Sequence, residues 1–264
     1  MSYLHVITVL SFHKYNPDWQ IVVYNTTYSP IDKDRQISPL KYIDYTGNDY
    51  FFMLKELPYV KIRGINIDKY SVHSILVSDI WRREILYNKG GVYSDFDMIW
   101  LKPMSEFVNI DCIGDPNDFE AVVSFYNYTH GFHNVSNLIS EAKSPFMLSL
   151  IDYVKEVVIF HHTEKVHYGD QSFGTKMLNK KYPTLECITT QFPRVLAIKY
   201  ETFYPYSTFN MQQLFLHNDL TPLDNKNVMG VHWFNANVLS KSYINEQDYA
   251  DCSMTSILKQ EGWL

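Results

Sequence analysis

The sequence predicts an α/β layered domain built on a mostly parallel sheet. Three observations carry that expectation. Short β-branched runs alternate with helix-periodic segments through the first hundred residues, the pattern of strands crossed over by helices. A glycine pair, Gly90-Gly91, separates a long apolar-striped segment from a short apolar run, as at a helix end followed by a strand. The 264 residues, 46% apolar and 20% charged, lie near the globular average and suffice for a sizeable core.

Tyr3, Val6, Ile7 and Leu10 recur at helical spacing, so a helix opens the chain and ends at Asn16-Pro17. Residues 20–24 (QIVVY) form a short buried strand, and 25–48 are polar and irregular. Residues 49–57 suit a short helix stopped by Pro58, and 60–67 a second strand. Ser71 is placed to cap the next helix, which turns Val72, Ile75, Leu76, Ile80 and Leu86 inward and ends at Lys89. Val92-Tyr93-Ser94, Asp95-Phe96-Asp97 and Met98-Ile99-Trp100-Leu101 then read as a strand interrupted by two carboxylates. Downstream, 121–126 is a strand, 145–160 an amphipathic helix with Pro145 in its first turn and 171–178 a helical segment, and strands are expected to dominate from there to 228–233. No repeat, low-complexity tract or compositional break divides the chain, so it is read as one domain, 1–264.

Lys and Arg total 23 against 29 Asp and Glu, a net charge of −6 with no basic block, which excludes generic tracking of a nucleic-acid backbone. Three cysteines, an odd number in no CxxC pair, point to a reducing compartment rather than a disulfide framework. No basic leader is read at the start, and no run reaches the ~20 apolar residues of a membrane helix, so the expected location is cytoplasmic, with no membrane span. Aromatic residues, 16% of the chain, are assigned mostly to core packing.

Asp95 and Asp97 stand two apart in an apolar strand and would share a side if the strand stayed regular. Two buried like charges are costly unless a cation accompanies them, and a divalent ion that takes hard oxygen ligands, Mn2+ or Mg2+, meets that need. For a DxD standing alone, a solvated loop is the favoured explanation. Asp79 and Arg82, one helical turn apart among Ile80, Trp81 and Leu86, add a polar pair suited to a pocket wall, or to an ordinary surface ion pair.

The stretch Ser78-Asp79-Ile80-Trp81-Arg82-Arg83-Glu84-Ile85-Leu86-Tyr87, followed by Gly90-Gly91-Val92-Tyr93-Ser94-Asp95-Phe96-Asp97 and Leu101-Lys102-Pro103, closely resembles the DXD-containing sugar transferases. That family includes capsular-polysaccharide glycosyltransferases, α-1,4-galactosyl and N-acetylglucosaminyl transferases, initiating mannosyltransferases and glucosylating toxins. Weaker likenesses lie in residues 11–19 (SFHKYNPDW), in Gly169-Asp170-Gln171 and in Val231-His232-Trp233-Phe234-Asn235. The resemblance implies the GT-A nucleotide-sugar-binding fold with a Rossmann-like sheet. Residues 1–103 would form its donor half, and 104–264 the acceptor side with the C-terminal metal and diphosphate motif. Family members begin with a strand often reading IPKIIHxIW. This chain starts at the following helix, so the first strand is expected to be missing.

Carried over by position, the resemblance makes Asp97 a metal ligand and Asp95 a donor contact that helps hold the metal, with His232 a late metal ligand or diphosphate donor. Asp79 and Arg82 would bind donor-sugar hydroxyls, Arg82 also a phosphate oxygen, and Tyr93 would add a donor contact. Asp170 and Gln171 would lie near the anomeric carbon, although a helix cap and a surface amide explain them nearly as well. His161, His162 and His167 are read as surface imidazoles, and Trp233, Phe234 and Tyr243 as either acceptor-shaping or core residues.

The implied activity is metal-dependent, retaining transfer of a hexose or N-acetylhexosamine from a nucleotide-diphosphate sugar, UDP ahead of GDP, to a carbohydrate acceptor. The alternative is a truncated or inactive sugar-nucleotide-binding homologue. A DxD phosphatase is disfavoured because Met98, Ile99, Trp100 and Leu101 follow Asp97 where a small hydroxyl residue is wanted, and no GxxxxGK[ST] segment supports a P-loop enzyme.

Overall fold

The computed structural model describes residues 1–26, 45–65, 74–126, 133–164, 174–245 and 251–264. Helix α1 (Tyr3–Tyr15) comes first, and no strand precedes it among the described residues. It is apolar on more than one face. Leu4 and Ile7 pack with Ile99, Val231 and Trp233, while Val6 and Val9 pack with Val23 and Leu54. A helix enclosed on two sides needs apolar residues around most of its circumference, so the one-faced spacing of Tyr3, Val6, Ile7 and Leu10 captures only part of it.

Strand β1 (Ile21–Thr26), helix α2 (Phe51–Glu56) and strand β2 (Val60–Ile65) follow, with β1 and β2 paired in parallel from Ile21 opposite Val60. The expected cap at Ser71 and the side chains of Val72, Ile75 and Leu76 lie outside what is described. Helix α3 (Ser74–Lys89) ends on Gly90 and Gly91, at φ +67 and +105. At Gly90 a side chain is also barred sterically, because a Cβ would sit 2.7 Å from the backbone nitrogen of Ala142.

Strands β3 (Gly91–Ser94) and β4 (Met98–Trp100) flank the two carboxylates. Strand β5 (Cys112–Ile113), strands β6 (Ala121–Phe125) and β7 (His133–Ser140), helix α4 (Pro145–Glu164), helices α5 (Thr175–Lys181) and α6 (Leu185–Gln191) and strand β8 (Val195–Lys199) follow. Helix α7 (Met211–Phe215), strand β9 (Gly230–His232) and helices α8 (Val238–Asn245) and α9 (Ser253–Gln260) complete the order. The predominance of strands expected beyond residue 178 is corrected. Helices fill much of that segment, and α6 starts where the Thr184 side chain accepts the Cys187 N–H, a local cap that favours helix over the β-branched run Ile188-Thr189-Thr190.

The α/β layering holds, and the sheets are mixed. One runs β3-β7-β6-β8-β5, with β6 and β8 parallel and its other pairs antiparallel, while β4 pairs antiparallel with β9. The five-stranded sheet is buried on both faces. Val123 and Ala197 turn toward α3 and α4, whereas Val122, Leu196 and Ile198 turn toward Met98, Trp100 and Phe203. The DxD segment is thus the crossing from one sheet to another, because β3 belongs to the five-stranded sheet and β4 does not.

Candidate active site

The register that sets Met98 opposite His232 brings the carboxylate before β4 beside the imidazole that ends β9. The Trp233 N–H donates to the Asp97 carbonyl at 2.8 Å, and the Asn235 N–H donates to Asp97 Oδ2 at 2.9 Å. Between them Phe234 takes φ 49, in the left-handed region that a bulky aromatic residue rarely enters. That turn also points the Phe234 N–H at His232 Nδ1, 3.3 Å away. Backbone held in such a conformation is concentrated at functional sites, and here it serves both the carboxylate and the imidazole.

Asp97 Oδ1 and His232 Nε2 lie 3.1 Å apart, facing each other as an ion-pair contact, and both are buried with no hydrogen-bond partner. Asp95, Asp97 and His232 each offer one ligand atom, and these three atoms lie within 4.8 Å of one another. Buried polar atoms left unsatisfied are costly, and a divalent cation placed among two carboxylates and an imidazole would satisfy them. The residues therefore fit a metal ion.

Behind Asp95 stands α3. Arg82 Nη2 lies 3.3 Å from Asp79 Oδ1 and 3.4 Å from Asp95 Oδ1, its Nε donates to the Ser78 carbonyl, and its guanidinium lies over the Tyr93 ring at 4.5 Å. The Tyr93 O–H donates to Asp95 Oδ1 at 2.7 Å. Arg82 and Asp79 are each 8% exposed in their side chains, so this is a desolvated pair rather than a surface bridge. Burial works against the Arg82 charge, but Asp95, Tyr93 and Asp79 outweigh it and hold the guanidinium above its ordinary range.

The two DxD carboxyls are driven apart. Burial raises Asp95, and the charge of Asp97 adds to that rise against the pull of Arg82. Asp97 is also buried, but His232 and the Asn235 N–H more than compensate, so it lies below the usual carboxylate range. Such a split is what two close carboxylates show without a cation, and a divalent charge between them would favour ionisation of both.

Asp79, Arg82, Tyr93, Asp95, Asp97 and His232, all expected from the sequence, come together here. Asp170, Gln171 and His167 lie outside the described residues, as do the side chains of His161 and His162. Trp233 and Tyr243 are core residues at 0% and 2% exposure, whereas Phe234 is only partly buried, its ring 4.3 Å from that of His232. Two contributors were not anticipated. The Tyr204 ring lies 5.0 Å from His232, and the His5 ring on α1 lies 5.1 Å from that of Trp233. The signal for His5 lay in α1 itself, where His5, Thr8 and Ser11 recur at three-residue spacing in an apolar helix.

Residues 5–120 match the family described as the glycosyltransferase sugar-binding region containing the DXD motif. No curated protein matches the sequence. Among solved structures, the galactosyltransferase LgtC in complex with donor and acceptor sugar analogs is similar with a TM-score of 0.52 at 12% identity, over 99% of this chain and 91% of that one. An active-site mutant of LgtC gives a TM-score of 0.50 at 12% identity, over 98% and 91%. The apo form of GlyE from Streptococcus pneumoniae TIGR4 gives 0.45 at 14% identity, over 98% of this chain and 60% of that one. At such identities the likeness to LgtC is one of fold. The chain thus has the GT-A fold, and its residues 5–120 match the DXD-containing sugar-binding region of glycosyltransferases.

Proposed function

We propose that this chain is a metal-dependent, retaining glycosyltransferase that moves a hexose or N-acetylhexosamine from a nucleotide-diphosphate sugar, UDP ahead of GDP, to a carbohydrate hydroxyl. The observation that carries the reading is the convergence of Asp95, Asp97 and His232, with Asp97 Oδ1 and His232 Nε2 buried and without hydrogen-bond partners. Those three residues would hold a divalent cation, Mn2+ ahead of Mg2+ because an imidazole joins the carboxylates, and the ion would supply Lewis-acid stabilisation of the leaving diphosphate.

The chain's own side chains supply position and charge. Arg82 is a buried, permanently charged guanidinium whose donors are already oriented by Asp79, Asp95 and Ser78, so little reorganisation is needed to meet a donor oxygen. Asp79, held by Arg82, offers carboxylate acceptors to sugar hydroxyls. Tyr93 orients Asp95 through its O–H. Retention would follow from attack on the same face as the departing phosphate, with Asp170 and Gln171 near the anomeric carbon. The whole chain acts as one transferase domain, with 1–103 on the donor side and 104–264 on the acceptor side. Three free cysteines support a cytoplasmic setting, and no described helix is long and apolar enough to cross a membrane.

A thermal-shift series tests the reading, using UDP, GDP and their sugars with Mn2+ or with chelator, on the wild-type chain and Asp97→Ala. A ligand bound only by the folded state raises the melting temperature by mass action. A Mn2+-dependent rise with one nucleotide, absent in the variant, is the expected result, and slow Mn2+-dependent hydrolysis of the matching sugar donor should accompany it. A cooperative melt indifferent to every nucleotide would overturn the proposal.

A further inference from the structure

The edge of β4 that faces away from β9 has no strand partner among the described residues. Its backbone groups are met instead by side chains of α1. The Thr8 hydroxyl donates to the Phe96 carbonyl at 2.7 Å and accepts the Met98 N–H at 3.3 Å. The Ser11 hydroxyl accepts the Trp100 N–H at 3.1 Å. In a parallel ladder, one residue of a neighbouring strand bonds to the carbonyl before and the N–H after the residue it opposes. A single hydroxyl, being both donor and acceptor, performs that double role here, and the residue it brackets is Asp97.

The opposite edge shows the same care for Asp97. Its carbonyl and its Oδ2 accept N–H groups from Trp233 and Asn235, and the Trp233 ring meets that of His5, one turn before Thr8 on the same helix. Thr8 is 5% exposed and Ser11 0%, so neither hydroxyl is replaced by bulk water. A backbone satisfied on both sides of one carboxylate leaves that carboxylate few ways to turn. The remaining freedom of Asp97 is the side-chain rotation that sets Oδ1 against His232 and Asp95.

We propose that Thr8 is a positioning residue for Asp97: its hydroxyl stands in for a neighbouring strand on β4 and fixes the backbone on either side of the carboxylate at the cation seat. The inference rests on reading Asp95, Asp97 and His232 as that seat. Ser11 performs the same edge-sealing task three residues further along β4, away from the carboxylate, so it is the internal control.

The test uses the whole chain and Mn2+ alone, followed by the electron paramagnetic resonance signal of the free ion, with melting temperatures in chelator measured beside it. Thr8→Val keeps the shape and removes the hydroxyl. It should weaken Mn2+ binding about tenfold, the equivalent of one net hydrogen bond, while Thr8→Ser should stay within about threefold of wild type. Ser11→Ala should lower the melting temperature in chelator as Thr8→Val does, yet leave Mn2+ affinity unchanged. If the valine variant does not fold, Thr8→Ala, which leaves room for a water, takes its place. Unchanged Mn2+ affinity in the Thr8 variants, or an equal loss in Ser11→Ala, overturns the positioning role while the cation seat stands. A wild-type chain that binds Mn2+ no better than Asp97→Asn overturns the seat and the positioning role together.

Discussion

Replacing Arg82 by methionine removes the charge that neutralises two carboxylates while keeping most of the apolar stem. Arg82 Nη2 lies 3.3 Å from Asp79 Oδ1, and both side chains are 8% exposed, so the Asp79 charge is left buried when the guanidinium goes. Breaking a buried pair from one side costs about 3–5 kcal/mol. Asp95, at 3.4 Å, is 30% exposed and keeps its bond from Tyr93, so water and the phenol screen much of its loss. It should add about 1 kcal/mol or less. With roughly 2–4 °C of melting temperature per kcal/mol in a chain of this size, a total of about 3–6 kcal/mol means that Arg82→Met should melt about 6–24 °C lower than wild type. The second half of the prediction separates charge from packing. In the Arg82→Met background, Asp79→Asn removes the stranded charge and should recover about 2–3 kcal/mol, whereas alone it should destabilise. Circular-dichroism melts of the four proteins in chelator give the cycle directly. A fall of less than about 2 °C in Arg82→Met, or a double variant that melts with the single one, would refute the idea that α3 is held to the DxD segment by this desolvated pair.

Its neighbour predicts the opposite. Arg83 is 0% exposed, donates only through Nη1 to the Asp79 carbonyl, and leaves Nε and Nη2 without partners, so burial pushes it down to about 10. Arg83→Met should therefore leave urea stability unchanged or raised, and a loss above about 2 kcal/mol would show that the attraction of Asp79 outweighs the cost of burying the guanidinium. His5 supplies a pH dependence. Burial depresses it from 6.5 to about 4, with the pull of Asp97 only partly opposing. The unfolded chain takes up the proton first as pH falls, so the contribution is complete above pH 6.5 and disappears between there and about 4. With allowance for its partial exposure, the loss should be about 2 kcal/mol across that window, and His5→Gln should flatten this part of the stability curve. Equal slopes in the two proteins would count against a buried neutral imidazole.

The site was legible where its signals are local in sequence. Asp79 and Arg82 share a helix face, Asp95 and Asp97 are two apart, and the Gly90-Gly91 turn joins the two segments, so short spacings predict that they meet. His232 entered through resemblance, because the β4–β9 register that delivers it pairs residues more than a hundred positions apart, and no local pattern encodes that. Thr8 and His5 escaped notice because a helix read for one apolar face assigns its polar residues to solvent. In a helix enclosed on two sides Thr8 points instead at an unpaired strand edge, and His5 at the Trp233 ring. The dominance of strands expected between 178 and 228, where β8 is the strand described, failed for a related reason. β-branched residues in runs of three or four carry a weak preference, which a Thr184 cap and burial of Leu185 and Ile188 reverse.

The placement of the two carboxylates has a mechanical consequence. Asp95 is tied to α3 and β3 through Arg82 and Tyr93, and β3 belongs to the five-stranded sheet. The Asp97 carboxylate is tied to the turn after β9 through the Asn235 N–H, and the backbone on either side of it to α1 through Thr8, at the start of a separate two-stranded sheet. An ion bound by both carboxylates is therefore a cross-link between two sheets that the backbone joins at this point by a three-residue bend. Local opening on either side must then break the ion's coordination, so Mn2+ should slow amide hydrogen exchange in both 91–97 and 228–235 relative to chelator. The slowing should also reach the Thr8-bonded Met98 amide, and it should vanish in both segments together in Asp97→Asn. Protection confined to one of the two segments would mean that the ion is held by a single carboxylate, and that the DxD segment does not join the sheets through it.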